Sequence, residues 1–172
     1  MPSIPVTIWH QELLSPTEFR PSTRVPAYTL VRLTAPAPDF FRFLYMAVGG
    51  PYHWTDRLAW PVEAWAERLA DPLVEVWVAY HGGAPLGWFE LCRQADGTVE
   101  VVYFGLLPHA IEQGHGGPLL TAAVSRAWAL GAGRIYVNSC SLDHPSAMAN
   151  YAARGFRVFR EDVTTKEVRG EG

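Results

Sequence analysis

The 172-residue chain has no run of basic residues, no apolar stretch long enough to span a membrane, and only two cysteines. Each absence removes a class of function. With 14 Lys and Arg against 17 Asp and Glu, and a formal net charge of −3, nothing in it makes an electrostatic footprint for nucleic acid. The longest apolar runs fall short of a membrane span. The proline-studded start has no apolar core behind basic residues, so no secretory leader is read there. Cys92 and Cys140 lie in apolar, strand-like segments and read as reduced core residues of a cytoplasmic protein. His, Cys and carboxylates nowhere cluster at ligand spacing, so no metal is expected. With no repeat, low-complexity tract or linker, residues 1–172 read as one domain.

What the chain does have is apolar substance, 49% hydrophobic and 13% aromatic, enough for a proper core. Residues 1–27 are proline-rich and weakly periodic and read as an extension packed on the domain, with Thr7–His10 a short strand and Ser15–Phe19 a helix start. Tyr28–Leu33 alternates like a first core strand. Asp39 opens a helix whose stripe of Phe40, Phe41, Leu44, Ala47 and Val48 ends at Gly49-Gly50-Pro51. Pro61–Ala70 reads as a second helix. Strands at 73–80, 86–93 and 99–107, joined by Gly-rich and Asp-Gly turns, read as an antiparallel meander. A helix from Pro118, a strand at 134–140, a helix at 145–154 and a strand or hairpin arm at 156–168 follow, and the last residues read as frayed.

The centre of this pattern is Val99–Leu107, then Gly114, Gly116 and Gly117, then Pro118 at a first helical position. A strand, a glycine turn and a helix start leave free N–H groups at the positive end of a helix dipole, an arrangement suited to phosphate. The dinucleotide fingerprint and the P-loop are both absent. The turn, Gln113-Gly114-His115-Gly116-Gly117-Pro118, instead resembles the acyl-CoA loop of the GNAT acetyltransferase superfamily. Downstream, His144, Ala147, Tyr151, Gly155 and Phe156 stand at the spacing of that family's second block, with His144 in place of its usual asparagine. The loop between Pro108 and Gln113 is two residues longer than the commonest family spacing.

The resemblance implies an α+β fold, a mixed and mostly antiparallel sheet with helices on both faces, whose strands 99–107 and 134–140 splay to admit the pantetheine arm. It implies acetyl-CoA as donor and transfer to an amine. On that basis the amides of Gly114, His115, Gly116, Gly117 and Leu119, together with Gln113, would hold the pyrophosphate. The backbone at Leu106 and Leu107 would pair with pantetheine and polarise the thioester. Tyr151 would be the acid. Glu100, flanked by valines, would be the base, with Glu90 on the neighbouring strand as runner-up. His144 and Asn150 are further candidates for the cofactor, and Asp143 for a helix cap. The segment 49–60 would wall the acceptor pocket, with Tyr52, Trp54 and Asp56 (and Glu90 from below) suited to an ammonium. The expected partner is therefore a small-molecule amine; the sequence does not give the oligomeric state, and the dimers common among relatives leave a homodimer open. The alternatives that stay open are a different acyl donor, an amino-acid or peptide acceptor, a non-catalytic acyl-CoA sensor or interaction domain, and an unrelated α/β domain that binds another phosphate ligand in the same loop.

Overall fold

A computed structural model describes residues 2–168. The strands are β1 (Ser3–Leu13), β2 (Thr29–Arg32), β3 (Val74–His81), β4 (Ala84–Arg93), β5 (Thr98–Leu106), β6 (Arg134–Cys140) and β7 (Arg157–Glu167). The helices are α1 (Pro38–Gly49), α2 (Val62–Ala70), α3 (Gly116–Ala129) and α4 (Ala147–Ala153). All strands join one sheet in the order β2-β3-β4-β5-β6-β1-β7, antiparallel except for the β5–β6 pair. The expected mixed α+β fold is what forms. The frayed end expected after Val168 lies outside the described residues.

Helices cover both faces, which is why the central strands are apolar on both sides. On one face α1 buries Phe41, Leu44, Tyr45 and Val48, spaced one helical face apart, against Val74, Val76, Val78 and Trp88. On the other, α3 buries Leu119, Leu120, Ala123, Val124 and Ala127 against Phe89, Leu91, Val99, Val101 and Ile135. The first helix ends at Gly49, where any Cβ would fall inside the Trp54 indole. This glycine therefore sets how closely the following segment folds back.

The extension expected over residues 1–27 needs correction. Its first half is β1, which is paired to β6 from Ile8 to Leu13 and to β7 from Ser3 to Glu12. Pro5 is compatible with this strand because β6 ends opposite Ile8, so the side of β1 facing β6 is open at Pro5. The polar residues of β1 are satisfied by partners far along the chain. His10 is hydrogen-bonded to the Tyr136 hydroxyl at 2.5 Å and to Asp162 at 2.7 Å. Glu12 accepts from Arg134 at 2.7 Å. Residues 14–28 then form a strap across the ends of α3 and α4. Ser15 caps its single 3-10 turn, Pro16–Glu18, where a longer helix was expected.

The strand β5 carries a bulge: Glu90 pairs with Tyr103 and Leu91 with Val101, leaving Val102 extra. A bulge bends its strand and adds twist. Pairing of β5 with β6 is confined to Thr98–Glu100 against Arg134–Tyr136. Beyond that point the two strands part, and a cleft opens through the sheet.

A cleft through the sheet as candidate active site

The cleft is a cavity of about 360 Å³, within the usual range for small-ligand sites. One wall is β5 from Val101 to Leu106, and the opposite wall is Val137, Asn138 and Cys140 of β6. The glycine turn with Ala147, Asn150 and Tyr151 of α4 closes one end. Val48, Tyr52, Trp54 and Asp56 close the other, and Lys166 reaches in from β7.

At the first end, Gly114 has φ +83°, a conformation that glycine adopts without strain. The first ladder bond of α3 runs from the Leu119 N–H to the His115 carbonyl at 3.0 Å. The N–H groups of His115, Gly116 and Gly117 therefore lie ahead of the helical ladder, and Pro118 has none. The expected role of Leu119 needs correction on the same evidence. Its amide is committed within the helix and its side chain is fully buried in the core. Asn150 donates to the Gly116 carbonyl at 3.0 Å, fastening α4 to the turn. Gln113 is exposed, donates to the His109 carbonyl at 2.8 Å and does not line the cavity.

Along β5, the Leu107 N–H bonds the Leu86 carbonyl at 2.8 Å and so faces β4. Leu107 is buried among the residues under α1, which removes it from the expected pantetheine contacts. Successive strand amides alternate sides, so Leu106 turns its own away from β4 and toward the cleft.

Tyr151 lines the cavity with its ring against Phe104 and Phe156. Burial, and secondarily the Asp143 carboxylate, hold its phenol well above the ordinary value, so it stays protonated at neutral pH. Asp143 is also in the wall. The helix cap expected of it does not form: its Oδ2 accepts from the Ser139 hydroxyl and the Cys140 N–H, both at 2.8 Å. His144 takes the local role instead, its Nδ1 accepting from the Ser146 N–H at 3.0 Å, while its ring stands edge-on to Tyr52.

At the other end Tyr52, Trp54 and Asp56 line the same cavity. Tyr103, which the sequence did not single out, donates to Asp56 at 3.4 Å and packs on Trp54 with ring centroids 4.7 Å apart. Glu90 is elsewhere. It is fully buried, and its two oxygens accept from Arg57 at 2.6 and 2.9 Å and from Arg68 Nε at 2.7 Å. A carboxylate so enclosed does not reach the cavity; it holds Arg57 and Arg68 against the sheet. Glu100 stands at the apex of the fork, one residue before the first cavity-lining position. Burial raises its carboxyl above the ordinary range, and Arg68 works against that rise; Gln94 donates to it at 3.0 Å. Among the described residues no cluster of potential metal ligands exists.

The residues present fit an acyl-CoA. The free amides form the cradle, and Gly117 leaves room where a Cβ would lie 3.1 Å from Ser22 Oγ and 3.2 Å from Arg154 Nη1. Arg154 Nε and Nη1 are enclosed without a hydrogen-bond partner behind the turn at Gly117, outside the cavity lining.

Comparison with known proteins gives the same direction. The profile described as "Acetyltransferase (GNAT) family" matches residues 37–156. No curated protein matches the chain. Among solved structures, one described as a GNAT-family acetyltransferase from Novosphingobium aromaticivorans superposes with a TM-score of 0.64 at 19% identity, over 94% of this chain and 63% of its own. An N-acetyltransferase from Kribbella flavida superposes with a TM-score of 0.66 at 16% identity, over 96% of this chain and 59% of its own. This chain thus spans about three fifths of the length of both. An aminoglycoside acetyltransferase from an uncultured soil metagenomic sample, solved with trehalose, gives 0.61 at 15% identity over 74% of this chain and 88% of its own. At these identities the likeness is one of fold.

Proposed function

The chain belongs to the GNAT acetyltransferase family, and within it we propose that it transfers an acetyl group from acetyl-CoA to a primary amine of a small molecule by direct attack. One observation carries the reading: the parting of β5 and β6 joins an anion cradle to a carboxylate-and-aromatic pocket through a single cavity. Acetyl-CoA supplies the activated acyl group as a thioester. The chain supplies the surroundings. The amides of Gly114, His115, Gly116 and Gly117 take the pyrophosphate. The Leu106 amide faces the carbonyl to be polarised. Asp56, with Tyr52, Trp54 and Tyr103, holds the acceptor as an ammonium. Glu100, its basicity increased by burial, receives the amine's proton through water at the fork. Tyr151 donates to the departing sulfur. His144 and Asn150 order the helix that presents Tyr151.

No helix among the described residues is long and apolar enough to cross a membrane. Two free thiols, Cys92 and Cys140, suit a reducing compartment and support a cytoplasmic location.

The test is thiol release from acetyl-CoA over a panel of amines, with Glu100→Gln and Tyr151→Phe beside the wild type. An enzyme loses turnover in both variants while keeping its CoA affinity. A sensor shows no amine-dependent release, and unchanged turnover in both variants would displace these residues from their roles.

A further inference from the structure

The strap of residues 14–28 lies outside the matched family region, 37–156, yet it is fixed to the rim of the anion cradle. Three contacts hold it. The Arg20 N–H donates to the Arg154 carbonyl at 2.9 Å, and the Ser22 N–H donates to Thr121 Oγ1 of α3 at 2.8 Å. The Glu18 carbonyl presses on Gly155, which at φ +104° leaves no space for a Cβ. Ser22 then receives the Arg24 N–H at 3.2 Å, shaping the turn that aims Arg24 back at the cradle. A Cβ on Gly114 would fall inside the Arg24 guanidinium, so that group rests directly on the glycine turn while its residue stays exposed.

Arg154, at the end of α4, faces the same turn from the other side. Its Nη1 lies 3.2 Å from the place a Gly117 Cβ would take. Its Nε and Nη1 are enclosed and unpartnered. Burial lowers its pKa with no compensating carboxylate. Enclosed donors without acceptors are costly, and a guanidinium matches two phosphate oxygens at once. Other arginines of this net-acidic chain, among them Arg32, Arg57, Arg68, Arg126, Arg134, Arg157 and Arg160, face carboxylates within 3.5 Å. Among the described residues Arg24 and Arg154 make no such pair, nor do Arg20, Arg42 and Arg93, but of these five only Arg24 and Arg154 lie against the glycine turn in the contacts of Gly114 and Gly117.

We propose that Arg24 and Arg154 bind phosphate oxygens of the donor's nucleotide end, so that the strap makes this protein selective for the phosphorylated nucleotide of CoA over the bare pantetheine arm. The inference rests on the acetyl-CoA reading above. It predicts that the affinity comes from phosphate as well as from the cleft.

Calorimetric titration tests it, using CoA, 3′-dephospho-CoA and pantetheine against wild type, Arg24→Gln and Arg154→Gln. Thermal unfolding checks that each variant folds. Arg24 is exposed, so its variant carries the test if the Arg154 change disturbs α4. Each substitution should weaken CoA binding about ten-fold, the effect of one charge-assisted hydrogen bond, and leave pantetheine binding unchanged. If the loss is confined to CoA, the 3′-phosphate is the group held. An equal loss for 3′-dephospho-CoA assigns the pyrophosphate. Undiminished CoA affinity in Arg24→Gln, with wild type binding CoA, would overturn the proposal alone. Failure of the wild type to bind CoA would overturn it together with the donor assignment.

Discussion

Replacing Glu90 by Gln removes one charge from the most enclosed ion cluster of the protein. Glu90 has no exposed surface, and the side chains of its partners are 6% exposed for Arg57 and 23% for Arg68. The neutral amide keeps the shape but presents one oxygen where three guanidinium N–H groups had been donating to two. Breaking a buried pair from one side costs about 3–5 kcal/mol, because the remaining charge is left uncompensated. For a domain of this size that corresponds to a fall in Tm of about 6–20 °C. The functional consequence follows from Arg57. Its guanidinium lies 4.5 Å from the Trp60 ring and 4.7 Å from the Tyr103 ring, and the Arg57 backbone N–H donates to the Tyr45 hydroxyl at 3.2 Å. Loosening it frees the segment that sets Trp54 and Asp56. Urea unfolding of Glu90→Gln should show the stability loss, and steady-state kinetics should show a raised KM for the amine with CoA affinity kept. A loss below about 1 kcal/mol, the value of an exposed pair, would refute the reasoning. So would a fully stable variant without turnover, which would make Glu90 the base instead.

Other substitutions probe the cleft and its frame. Glu100→Gln should raise Tm at neutral pH. Because the folded carboxyl titrates above the unfolded one, Glu100 stabilises most in acid and that contribution is lost as pH rises through its folded pKa. The advantage of Gln should therefore vanish below about pH 4, and a Tm difference independent of pH would contradict the burial argument. Glu75 works in the opposite sense: Arg126 holds its carboxyl below the ordinary value, so its stabilisation is present at neutral pH and is lost as acid protonates it. Glu75→Gln should flatten the acid limb of the stability curve measured by denaturant titration. Gly155→Ala meets both a positive φ and the Glu18 carbonyl, and should cost about 1–3 kcal/mol in urea unfolding.

The glycine turn, the meander and the two helix blocks were legible because their signals are local: alternation, turn residues and a fixed spacing ending in Gly155-Phe156. The strand β1 was legible only at Thr7–His10, for a physical reason. Gln11 and Glu12 are polar, yet Gln11 is 1% exposed, and its neighbours His10 and Glu12 are paired to residues more than 120 positions away. The same distance hid Arg24, whose place on Gly114 depends on how the strap lies. Glu90 illustrates the opposite error. A carboxylate in the apolar context Trp88-Phe89-Glu90-Leu91 could mean a tuned base or a neutralised core charge, and only Arg57 and Arg68, from other elements, decide it. Leu107 and Leu119 show that backbone roles depend on where the neighbouring carbonyl already points.

The most direct test of the account is calorimetric titration of the purified protein with acetyl-CoA, with NADH and ATP as controls. The cleft and its cradle predict selective binding of acetyl-CoA in the micromolar range. A folded protein that binds none of the three, or binds them alike, would contradict the assignment and leave the glycine turn as no more than the cap of α3.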